Sequence, residues 1–90
     1  MPKALLDYLG YVIYFWKGDG TEPVHVHISQ GKQTNEATKI WIKRDGVEVA
    51  HNKGNIPSRD LRKLIRFIDD NKDIIISEWV LRFGKAELKR

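Results

Sequence analysis

Cysteine is absent from this chain, which excludes disulfides and thiolate metal sites and suits a reducing compartment. Long hydrophobic runs are absent too. The longest purely apolar stretch, Tyr11 to Trp16, falls far short of the roughly 20 residues of a membrane span. The opening Met1-Pro2-Lys3-Ala4-Leu5-Leu6-Asp7 lacks the apolar centre of a signal peptide. A soluble, cytoplasmic protein with no membrane partner is the expectation. Dense charge of one sign is also missing: the net charge is +4, with +1 over residues 1–58 and +3 over residues 59–90. That mild bias is weaker than the basic stripes of dedicated DNA binders.

What is present suits one small domain spanning residues 1–90. Hydrophobic residues make up 41% and charged residues 31%, a globular balance with nine aromatic side chains to fill a core. The apolar period switches once, from strand-like over residues 10–51 to helical over 57–84, with 1–9 as a leading segment and 85–90 as a fraying tail. The pattern predicts an α+β fold: about four mostly antiparallel strands (11–16, 24–28, 37–42 and 47–51) followed by one or two C-terminal helices on one face. Asp45-Gly46 is the dipeptide of a type I′ hairpin turn. Pro57 suits the first helical turn, and Leu61, Leu64, Ile65 and Ile68 form a buried stripe. Asp69-Asp70-Asn71-Lys72 predicts a break before a second stripe of Ile75 or Ile76, Trp79, Val80 and Phe83.

The most informative feature is Val24-His25-Val26-His27-Ile28, a clean alternation that puts His25 and His27 on one strand face about 6.5–7 Å apart. Two imidazoles at that spacing can share a metal ion, but a catalytic zinc needs about three protein ligands. Asp19, Glu22, Glu48 and His51 are available, and spacing alone brings none of them close, so no metal or other cofactor is assigned. Alternatively, His25 and His27 act as acid and base in RNA cleavage, with Lys32 or Lys39 stabilising negative charge. The plainer reading packs both histidines on the open face of the sheet or caps its edge. Trp41 and Lys39 share that face, and an exposed Trp41 there marks a binding patch.

Arg59, Arg62, Lys63 and Arg66 recur at helical spacing, with Arg82, Lys85, Lys89 and Arg90 beyond. Arg62 and Arg66 are candidates to contact a phosphate backbone, against the alternative of a solvated face interspersed with Asp60, Asp69 and Asp70. Tyr11, Tyr14 and Trp16 are either base-stacking platforms or core. Gln30 to Asn35 contains Gly31-Lys32 without the remaining residues of a phosphate loop, which excludes that nucleotide-binding motif.

Glu22-Pro23-Val24-His25-Val26-His27-Ile28, preceded by an aromatic strand and followed by Gly31, resembles the Pro-Pro-His-Phe-His-Val core of DUF4160, a family of small bacterial proteins of unknown function. Residues 10–16, 37–42, Ile56-Pro57 and Trp79 fall in the family's order; Val24 and Val26 stand where Pro and Phe are usual, and Gly20-Thr21 where an acidic residue and a His often stand. The resemblance implies an α+β domain of bacterial origin, often encoded beside another small protein and suggested to join toxin–antitoxin-like pairs. It brings no reaction and no catalytic residue, and whether the protein is an enzyme stays open. The leading expectation is an interaction module, one half of a toxin–antitoxin-like pair with a small protein partner, using the sheet face around His25, His27 and Trp41. The alternatives are a small ribonuclease using His25 and His27, and a nucleic-acid-binding regulator using the basic helix.

Overall fold

The computed structural model describes residues 5–16 and 18–90. Strands β1 (Leu6–Tyr8), β2 (Tyr11–Tyr14), β3 (His25–Gln30), β4 (Thr38–Lys43) and β5 (Gly46–His51) form one antiparallel sheet in sequence order. Helices α1 (Ser58–Asp70) and α2 (Lys72–Phe83) follow, so the fold is α+β as the periodicity predicts. The strand count is five instead of four. The added strand is β1, in the segment read as a leader, and it is paired to β2 by a turn the sequence disguises. That turn is Leu9-Gly10, both left-handed at φ 54° and 82°, between the partners Tyr8 and Tyr11. Two positive φ values make the type I′ geometry that matches strand twist, here with leucine in a place asparagine usually takes.

At Asp45-Gly46 the opposite happens. A hairpin forms there, but Gly46 pairs with Lys43 inside the ladder, leaving Arg44-Asp45 as the loop. Neither Arg44 nor Asp45, the two loop residues, takes a positive φ, so the turn is not type I′. Ile40, Ile42, Val26, Ile28 and Ile13 line the sheet face that meets Leu64 and Ile68 of α1 and Ile75 and Trp79 of α2. Alternation along the strands dictates this, because each apolar i, i+2 set points to one side.

The expected helix break falls at Asn71, whose side-chain amide donates to the Phe67 carbonyl (2.7 Å) and closes α1. Pro57 stands one position earlier than expected, as the N-cap instead of within the first turn. The tail makes backbone hydrogen bonds to the sheet. The Val24 N–H donates to the Glu87 carbonyl (2.8 Å) and the Lys89 N–H to the Ile42 carbonyl (3.0 Å), laying the tail along the end of the sheet.

Tyr11 ties the two layers together: its buried hydroxyl donates to the Asp60 carboxylate of α1 at 2.8 Å. Burial and the neighbouring carboxylate both push its pKa above the usual tyrosine value. A raised folded-state pKa favours the neutral form, so its contribution is intact below pH ~10 and is lost as pH rises through the folded value. Tyr11→Phe should cost about 1.5 kcal/mol at neutral pH and flatten the alkaline limb of the stability profile, measured by urea unfolding from pH 7 to 11.

Candidate functional site

The 3-10 turn Asp19–Thr21 between β2 and β3 delivers the group that completes the histidine face. Gly18 starts it in a left-handed conformation (φ 91°), and Gly20 lets it press against α2. A Cβ on Gly20 would stand 2.7 Å from Phe83 Cδ1. Gly18-Asp19-Gly20 is thus a positioning device: one glycine supplies the bend, the other the close approach, and the aspartate between them is directed inward.

Asp19 is 7% exposed and holds three groups. Its Oδ2 accepts from the Trp16 backbone N–H (2.6 Å) and from His27 Nε2 (3.1 Å). Its Oδ1 lies 3.2 Å from His25 Nε2. That last contact is close but off the line of a hydrogen bond, and the buried Nε2 of His25 has no hydrogen-bond partner among the described residues. The other ring nitrogen, Nδ1, lies 2.9 Å from the Pro23 carbonyl oxygen. A carbonyl only accepts, so Nδ1 carries a proton, and in the neutral ring Nε2 presents a lone pair toward the carboxylate.

His25 is fully buried. Its ring meets Trp41 (centroids 5.3 Å apart, 75°), Trp79 (5.3 Å, 64°) and His27 (5.0 Å, 86°), all edge to face. His27 keeps 17% side-chain exposure and lies beside both Tyr14 and Trp16, at 5.8 and 6.4 Å. Burial alone would push the Asp19 carboxyl pKa up. The His25 ring when it is protonated, the His27 imidazole and the Trp16 N–H outweigh it and hold the carboxyl well below the usual carboxylate range.

The DUF4160 profile, described as a domain of unknown function, matches residues 10–80, a span that contains this whole centre. The chain belongs to the DUF4160 family. No curated protein and no solved structure matches it. The DUF4160 assignment thus agrees with the resemblance carried by the His-x-His strand and leaves the chemistry to the geometry.

The structure divides the sequence candidates into separate places. His25, His27, Lys39 and Trp41 are neighbours, since His25 pairs across from Trp41 and His27 from Lys39. Lys39 is not a free charge: its Nζ binds Glu22 Oε1 at 2.5 Å and lies 4.2 Å from the centre of the Trp41 ring. Lys89 lies 5.1 Å from the same ring, so Trp41 is partly roofed by two cations. Lys32 is exposed in the loop after β3, and Arg62 and Arg66 project from α1, in the helical layer across the sheet from His27. Tyr11 and Tyr14, at 4% and 0% exposure, are buried and offer no stacking surface. Of the possible third groups, Asp19 joins the histidines, while Glu22 pairs with Lys39, Glu48 with Lys43, and His51 stands across from Lys39.

Trp79 was not readable as a site residue, because helical spacing explains it as core. Asp19 had one visible signal, its two flanking glycines. Because His25 is enclosed by three rings, His25→Ala should cost about 2–4 kcal/mol in urea unfolding, whereas the part-exposed His27→Ala should cost less than half as much.

Proposed function

We propose that this chain is a protein-interaction module, one half of a two-protein pair, docking through the outer side of α2. The observation that carries this reading is three large aliphatic side chains turned to solvent on one short helix: Ile74 is 51% exposed, Val80 41% and Leu81 80%. Ile74 and Leu81 are seven residues apart and share a helix face, and Val80 lies about a quarter-turn or more further round the helix. The apolar side chains of α2 are spread around the helix instead of gathered in one stripe, and only Ile75 and Trp79 are fully buried. The exposed Glu78 lies beside Ile74 and Leu81 at helical spacing and Arg82 stands in the last turn, so the fitting partner has an apolar groove whose rim carries charges of both signs. The pairing attributed to the family makes the product of the adjacent reading frame the partner to test.

Acid–base cleavage of RNA is less well supported by this geometry. His25 has no exposed surface with which to meet a substrate, and Asp19 already engages both imidazoles. Co-expression with the adjacent product should give a one-to-one complex by light scattering, lost in Leu81→Asp and retained in His27→Ala. Absence of a complex, a homodimer formed in its place, or a complex indifferent to both Ile74→Asp and Leu81→Asp contradicts the reading.

A second reading has its own observation. Arg59, Arg62 and Lys63 are exposed, Arg66 follows at helical spacing, and none of the four makes an ion pair among the described residues. Four uncompensated cations on one side of α1 suit a phosphate backbone. If they act so, binding to duplex DNA or RNA should weaken steeply with salt, and Arg62→Glu with Arg66→Glu should flatten the salt slope by about 2. Binding unchanged in that double variant removes the reading.

A further inference from the structure

We propose that Asp19, His25 and His27 form a binding site for one divalent first-row transition cation, with zinc the best fit. One carboxylate oxygen and two imidazole nitrogens, all within 4.8 Å of one another, converge on one point. From Asp19 Oδ1 the two nitrogens stand 3.2 and 3.4 Å. Ligands about 2.0–2.2 Å from a tetrahedral ion are themselves separated by about 3.3–3.6 Å, so these nitrogen–oxygen distances need only small adjustment.

The second, independent observation is the buried Nε2 of His25. It has no hydrogen-bond partner among the described residues, while Nδ1 is committed to the Pro23 carbonyl. In the neutral ring a lone pair is therefore directed toward a carboxylate that also carries lone pairs. A proton on Nε2 would give an imidazolium in fully buried surroundings, without a straight hydrogen bond. A cation placed between the two groups satisfies both. The Nδ1–H to carbonyl bond is the outer partner that metal-bound histidines commonly keep, and it fixes the ring with Nε2 facing the site. Trp41 and Trp79 both pack edge to face with the same ring, so the ligand is oriented before any ion arrives.

His27 must change more. Its Nε2 now donates to Asp19 Oδ2, and on binding that nitrogen gives its proton to solvent or takes the other tautomer, leaving a lone pair for the ion. The donor set, two neutral nitrogens and one carboxylate oxygen, suits zinc and its neighbours over calcium or magnesium, which demand more oxygen ligands. Three protein ligands leave one position of a tetrahedron to water or to a partner's side chain. His27 is the part-exposed ligand, so that position lies on its side of the centre. The site is separate from the exposed aliphatic side of α2, and its test reads out independently of any partner.

The experiment uses full-length protein bearing no histidine tag, stripped with a chelator and titrated with zinc by calorimetry, with thermal unfolding of the same samples. The expected result is one zinc per chain, a rise in melting temperature, and at least about tenfold weaker binding in both His27→Ala and Asp19→Asn. His51→Ala, altered outside the cluster, should bind as the parent does. His25→Ala is not relied on, because it removes core packing; circular dichroism verifies that the other variants are folded, with His27→Gln replacing His27→Ala if that variant is not. Cobalt in place of zinc should give the intense visible absorption of a four-coordinate ion. The proposal is overturned if the parent binds no stoichiometric zinc, or if zinc binding survives in the Asp19 and His27 variants. Loss only in His51→Ala overturns it as well.

Discussion

The Asp19 carboxylate is the interaction on which the rest of this molecule turns. It gathers the Trp16 N–H after β2, His25 at the start of β3 and His27 within it, and so fixes how the chain leaves one strand and enters the next. Burying an ionised carboxylate is costly unless donors surround it, and here they do. The cost of losing it would fall on more than one bond. The same turn that carries Asp19 presses Gly20 against Phe83, and His25 meets Trp79, so the polar centre and the packing of α2 share neighbours. Ring contacts link the two: Phe15 meets Trp79 edge to face at 5.1 Å, and Trp79 meets Phe83 in a tilted contact at 4.5 Å.

This arrangement makes the histidine pair unequal. Both belong to one face by strand alternation, but α2 and Trp41 enclose the first, while the second stays near solvent. A pair meant to exchange protons with a substrate would need both rings to reach it. A pair meant to hold something between itself and a carboxylate needs one rigid member and one that can adapt. His25 and His27 fit the second description. The docking surface we propose, the exposed aliphatic side of α2, and the α1 cations are both separate from this centre.

Much of the fold was legible because alternation and helical period act locally. Val24, Val26 and Ile28 mark β3, and Leu64 and Ile68 mark the buried side of α1, without reference to anything distant. What escaped depends on contacts far apart in sequence or on backbone angles that residue type conceals. β1 is short and owes its place to a left-handed Leu9, a conformation disfavoured for leucine and tolerated here beside Gly10. The tail is tied by bonds to Val24 and Ile42, which no local pattern announces. In the site, the His-x-His pair was plain, whereas the third group was one of several carboxylates until the turn brought Asp19 inward. The enclosing Trp79 reads in sequence as nothing more than core.

Anomalous scattering at the zinc edge, from crystals of the zinc-equilibrated protein, addresses the central claim most directly. The account predicts one ordered peak about 2.0–2.2 Å from His25 Nε2, His27 Nε2 and an Asp19 oxygen, with Nδ1 of His25 still bonded to Pro23. An absence of any peak there, with His25 Nε2 instead donating a straight hydrogen bond to Asp19, would contradict it.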